Sequence, residues 1–169
     1  MLTFTHPTGN ANVREAARAL NEAGLLSSFW TTVYWREESL LNSLLPAALA
    51  SELSRRAFPH VQREQVHSYP WLEAGRLVAR RMGLSQLTRH ETGPLSVDAI
   101  YRSLDRKVAS WLLRATDVLA VYAYEDGALE SFRAAQQQGI RVIYELPIGY
   151  WRAYRKILGE EALDRKSVV

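Results

Sequence analysis

The chain has 169 residues, 47% hydrophobic and 23% charged, a balance that suits one folded domain with a sizeable core and excludes a disordered chain. Cysteine is absent, which excludes a disulfide scaffold and thiolate chemistry and fits a reducing, cytoplasmic setting. The formal net charge of +3 is too small to point to nucleic acid.

The opening Leu2-Thr3-Phe4-Thr5-His6-Pro7-Thr8-Gly9-Asn10-Ala11-Asn12-Val13-Arg14 reads as a short strand, a Pro/Gly/Asn turn and the start of an amphipathic helix. No basic-then-apolar order marks a secretory signal there, and none is expected. The helix is predicted over 12–23, with Val13, Ala16, Ala17 and Leu20 on one stripe, Asn12 and Glu15 as a capping box, and Gly24 as its stop. A strand over 29–35 follows, then a helix over 40–57 broken near Pro46. Residues 65–69 form a weak third strand ending at Pro70, and 72–82 a helix closed by Gly83.

A turn over 91–96 precedes a long helix over 97–114, whose stripe is Val97, Ile100, Tyr101, Leu104, Val108 and Trp111. Residues 118–122 read as a buried strand, 126–138 as a helix capped by Asp126 and ended by Gly139, and 140–144 as a second buried strand. The last element is an amphipathic helix over 148–163. No run nears the roughly 20 apolar residues of a membrane-spanning helix, so no transmembrane segment is expected. The alternation predicts a single α/β domain over 1–169. Its expected form is a three-layer, doubly wound, Rossmann-like parallel sheet of about five strands with helices on both faces.

In such a sheet, ligands gather at the carboxyl ends of the strands. The loops after the first, fourth and fifth strands are expected to share one rim carrying Gly9, Asn10, Asn12, Tyr124, Glu125 and Glu145. Gly9, Asn10 and Asn12 could present backbone N–H groups to a diphosphate at a helix amino terminus. The competing reading is an ordinary tight turn and helix cap. His6 reads as a locally hydrogen-bonded ring rather than a base and Arg14 as a surface arginine; His6, Tyr124, Glu125 and Glu145 are expected to line an acceptor cleft, with Glu125 and Glu145 as candidate contacts. His60, His67 and His90 lack metal-ligand spacing, so no metal site is predicted. Trp35, Trp71, Trp111 and Trp151 read as core or interface residues, with Trp71 in a loop. Arg76, Arg80 and Arg81 cluster on one helical pattern, and Arg152, Arg155 and Lys156 on another. Each is ordinarily a solvated face; the functional alternative is peripheral contact with an anionic membrane surface.

The unit Asp117-Val118-Leu119-Ala120-Val121-Tyr122-Ala123-Tyr124-Glu125-Asp126-Gly127, its helix to Gly139, and Ile140-Arg141-Val142-Ile143-Tyr144-Glu145-Leu146-Pro147 is similar to a known arrangement. It resembles the late strand-helix-strand of the amino-terminal domain in two-domain, B-type-fold retaining glycosyltransferases (the family 4-like group). The phrases His6-Pro7-Thr8-Gly9-Asn10-Ala11-Asn12 and Tyr144-Glu145-Leu146-Pro147-Ile148-Gly149-Tyr150-Trp151 look like one branch of these enzymes. The resemblance spans essentially the whole chain and implies a fragment: an acceptor-side half whose donor-binding second domain is missing. It implies a nucleotide-sugar donor as substrate, a sugar or lipid-linked acceptor, no permanently bound cofactor, and a cytoplasmic place at or near the inner face of a membrane. One departure matters. Many members carry histidines in the strand matching 118–122, whereas Ala120 and Tyr122 stand here, so no catalytic residue is carried over. The alternatives are a stand-alone nucleotide- or anion-binding α/β module without catalysis, and a truncated product without activity.

Overall fold

A computed structural model describes residues 1–36, 53–54, 56–125, 127–146 and 155–160. Most of the helix predicted over 40–57, the Asp126 cap, Trp151 and Arg152 lie outside the described residues, as does most of the helix predicted over 148–163; 155–160 are helical and exposed. The chain forms β1 (Leu2–Thr5), α1 (Ala11–Glu22), β2 (Leu26–Thr31), β3 (Val66–Ser68), α2 (Trp71–Arg81), α3 (Val97–Leu112), β4 (Ala120–Tyr124), α4 (Leu129–Gln137) and β5 (Arg141–Glu145). The sheet runs β3-β2-β1-β4-β5 with every pairing parallel, which is the expected doubly wound α/β fold.

Helices cover both faces. On one, Val13 and Ala17 of α1 pack with Leu2, Phe4, Leu26 and Phe29 of the sheet and with Phe58 and Val61. On the other, Leu104, Val108 and Leu112 of α3 and Ala134 and Ala135 of α4 pack against Trp30, Val121 and Ile140. The alternating threonines of β1 are buried too, and Thr3 hydrogen-bonds the hydroxyl of Ser28 at 3.0 Å, so the pair leaves no orphaned oxygen in the core.

Helix ends follow local chemistry. Gly24, Gly83 and Gly139 adopt φ of +66°, +71° and +69° just past three helices, the left-handed conformation that glycine reaches without a Cβ penalty. The cap of α1 is Asn10 rather than Asn12: its backbone is extended and its Oδ1 accepts from Val13 N at 2.9 Å. That places Asn12 inside the first turn, where it cannot cap.

Four expectations are corrected. β2 starts earlier than 29–35 because Leu26 is drawn into the core; Trp35 makes only an isolated bridge to Ala57. β4 lies two residues later than 118–122, and Leu119 is 71% exposed. β5 is not a buried strand. It is the sheet's edge, where only the preceding Ile140 is buried, while Val142, Ile143 and Tyr144 are exposed. Trp71 opens α2 instead of sitting in a loop, and its ring faces solvent at 73% exposure.

The stripe of α3 also contains a residue that hydrophobic periodicity passes over. Asp105 is only 3% exposed, and its two oxygens accept from Glu130 N at 2.7 Å and Ser131 N at 2.9 Å. A carboxylate of α3 thus caps α4, whose own N-cap, Ala128, has no side chain to do so. Asp105→Ala should cost about 2–4 kcal/mol, since it strands two buried amides. Urea unfolding should show the loss as a lower midpoint with an unchanged slope. Asp105→Asn keeps one acceptor oxygen and should cost less.

Candidate functional site

β1 sends its chain through α1 toward β2, and β4 sends its chain through α4 toward β5 on the opposite side. Their carboxyl ends therefore part at a topological switch point, leaving a crevice between the loops. The two loops approach closely: a Cβ added at Gly127 would lie 3.9 Å from Pro7 Cγ and from the Tyr101 ring of α3. The Pro7 carbonyl accepts from Thr32 Oγ1 at 2.5 Å and Thr32 N at 3.3 Å, which fixes the first loop to the end of β2.

His6 stands at the base of the crevice with 7% of its surface exposed. Its Nδ1 lies against the Thr8 carbonyl and accepts from Thr8 N at 3.0 Å. Its ring meets Tyr124 edge-on at 5.0 Å and Tyr101 at 6.5 Å. Burial, the largest influence, and the nearby Arg56 charge outweigh the pull of the Thr8 contact and lower its pKa to about 4. The ring is therefore neutral at pH 7.

Gly9 is buried in the β1–α1 loop, and Asn10 and Asn12 are exposed. Among the described residues, the N–H groups of Gly9, Asn10, Ala11 and Asn12 donate no hydrogen bond within the protein. Arg14 reaches back rather than out, its Nη1 donating to the Gly9 carbonyl at 2.6 Å.

At the ends of β4 and β5, Tyr122 stacks on Tyr124 at 5.9 Å and donates its hydroxyl to Glu145 Oε2 at 2.8 Å. Burial and this carboxylate hold the Tyr122 phenol well above the usual tyrosine range, so it remains a donor. Burial and the Glu145 charge push Tyr124 upward as well. Glu125 N donates to the Glu145 carbonyl at 3.1 Å, joining the two strand ends. The structure thus brings His6, Tyr124 and the 8–12 loop to the switch point, and aligns Glu125 and Glu145 along the same edge. Glu145 is already engaged by Tyr122.

The other histidines stand apart. His60 lines a cavity of about 340 Å³ with Arg14 and Phe58, His67 stacks on Trp30 at 4.5 Å, and His90 is exposed beside Asp98. Among the described residues, no group of three His, Cys, Asp or Glu side chains is placed to hold a metal. Two larger cavities flank the crevice on its Tyr101 side. One of about 610 Å³ is lined by Asp105, Gly127, Leu129, Phe132 and Tyr144, and one of about 570 Å³ by His90, Asp98 and Tyr101, with Arg102 in both.

Sequence reasoning missed Arg56 and Glu73, which belong to the same rim. Arg56 Nη2 donates to Glu73 Oε1 at 3.2 Å, and Glu73 sits in the first turn of α2, just past β3. An acid in the first turn after a strand was a readable signal for Glu73; nothing local marks Arg56.

Comparison with protein-family models, curated proteins and solved structures finds no match. The strand order and all-parallel pairing define a Rossmann-like, doubly wound α/β domain. No helix among the described residues is long and apolar enough to cross a membrane.

His6 provides a pH test. The unfolded chain takes up its proton below about 6.5, the folded one only near 4, so stability held at neutral pH is lost as pH falls through that window. The His6 contribution should reach about 3 kcal/mol at most. Urea titrations between pH 4 and 7 should show a shallower decline in His6→Asn than in the wild type.

Proposed function

We propose that this domain is the acceptor-side half of a nucleotide-sugar-dependent glycosyltransferase, acting on the donor as substrate without a permanently bound cofactor. The observation that carries the reading is the crevice at the β1/β4 switch point, where a glycine-bearing loop leaves four successive amides without an acceptor beside a polar strand edge. Those amides and the positive end of α1 suit the departing diphosphate, whose developing charge is the main electrostatic demand of glycosyl transfer. Tyr124, Glu125 and Glu145 lie along the β4–β5 edge, where an acceptor hydroxyl would approach. A retained configuration, a sugar or lipid-linked acceptor, a cytoplasmic location and peripheral contact with a membrane's inner face belong to the same proposal.

A second reading, a stand-alone anion-binding module, is favoured by the local construction of the loop. Asn10, Thr8 and His6 shape it from within, and Thr32 at the end of β2 holds its Pro7 carbonyl.

Titrating nucleoside diphosphates into the 15N-labelled protein should move the amide resonances of residues 8–12 and 124–127 first. Absence of movement there would overturn both readings. Incubation with a panel of nucleotide-sugars and acceptors, followed by mass spectrometry, should give no product. An acceptor-side half assayed on its own forfeits positioning worth about 7–11 kcal/mol of barrier. Robust turnover abolished by Glu125→Ala or Glu145→Ala would overturn the half-enzyme reading and place a complete site within these residues.

A further inference from the structure

Buried Glu73 and half-buried Arg56 and Arg76 lie on the β2–β3 side of the rim. Arg56 directly precedes Ala57, which bridges Trp35 in parallel, and Trp35 N donates to the Arg56 carbonyl at 3.0 Å. This carries the guanidinium past the carboxyl end of β2. Glu73 is 7% exposed and holds one arm of that guanidinium at 3.2 Å. Arg76 lies three residues further along α2, on the same side of the helix as Glu73.

Arg56 pairs with the Glu73 carboxylate, and the donors of the two arginines are not all used. Arg56 Nη1 and Arg76 Nε are both buried without a hydrogen-bond acceptor. An N–H of a charged group removed from water and left unpaired is costly, and few such atoms persist in a native fold without a reason. The group keeps a net positive charge and donors from two elements, the chain after β2 and the helix after β3.

We infer that Arg56 and Arg76 form an oxyanion subsite that takes a phosphate group of the ligand held in the crevice. A phosphate offers oxygens in several directions and can accept from guanidinium groups approaching from different elements. The Arg56 charge is also felt at His6 at the base of the crevice, as the smallest of three influences on its pKa. The inference rests on the crevice reading above for the rest of the ligand and narrows it: the group on the acceptor side is phosphorylated.

The test uses inorganic phosphate as the probe and follows arginine Nε–H resonances by NMR, so it needs neither a sugar nor an active enzyme. Phosphate should shift the Arg56 and Arg76 Nε–H signals in the wild type, and acetate at equal ionic strength should do so far less. Arg76→Gln should weaken phosphate binding by about tenfold or more, the loss of one charge-assisted contact. Arg76→Lys should recover part of it. Arg56→Gln should do the same but also frees the buried Glu73, so Arg76 is the cleaner variant. The inference is overturned if phosphate leaves both signals unmoved, or if Arg76→Gln binds it as the wild type does. Failure of nucleoside diphosphates to perturb residues 8–12 and 124–127, with phosphate still bound by the two arginines, would sink both readings of the crevice and leave the oxyanion subsite standing.

Discussion

β1 hydrogen-bonds along both of its edges, to β2 through Leu2–Leu26 and Phe4–Phe29 and to β4 through Leu2–Ala120 and Thr5–Ala123. With both neighbours parallel, each must be reached by a crossover, and the two crossovers depart toward opposite edges. The crevice follows directly: loops that diverge from adjacent strands cannot fill the space between their own starting points. Burying all four residues of β1 makes this arrangement rigid, since Phe4 touches Phe29, Tyr122 and Tyr124 at ring distances of 5.0–6.0 Å. His6, the next residue, is positioned by that packing before any ligand is considered.

Polar groups do a large part of the positioning elsewhere. Asp105 ties α3 to the start of α4, Thr32 ties the first loop to β2, and Tyr122 ties β4 to Glu145. Because Asp105 already consumes the leading amides of α4, that helix terminus offers little to an anion. The amides after Gly9 are therefore the better placed of the two termini at the switch point.

Much of the fold was legible because its signals are local. Glycines 24, 83 and 139 stop helices through a backbone property that one residue carries, and strand-helix alternation specifies a covered parallel sheet. The misreadings arose where neighbours in space decide. Asn10 and Asn12 both look like caps, and the choice depends on where the turn releases the chain. The apolar run of β5 reads like a central strand, because hydrophobicity does not tell an edge from an interior when helices shade only its start. Asp105 falls in register with Tyr101, Val108 and Leu112, so its burial was written in the spacing and obscured by its charge. At the site, the residues beside the 8–12 loop were accessible to strand-end reasoning. Arg56 was not, because its partner, Glu73, lies in α2, across β3 from it.

The pairing of β1 with β4 has a consequence for the order of assembly. The amino terminus donates to the Asp117 carbonyl, 116 residues away, at the start of the same ladder. On the ribosome, β1 and β2 with α1 emerge long before β4 exists, so half of β1's hydrogen-bonding edge and the rim of Phe4 stay open through most of synthesis. The nascent chain is at its stickiest in that interval, and closing so long a loop is a slow, entropically costly step. The strand that organises the finished domain is thus completed late, after β2 and β3 have both emerged, and the crevice beside it forms only once β4 is in place.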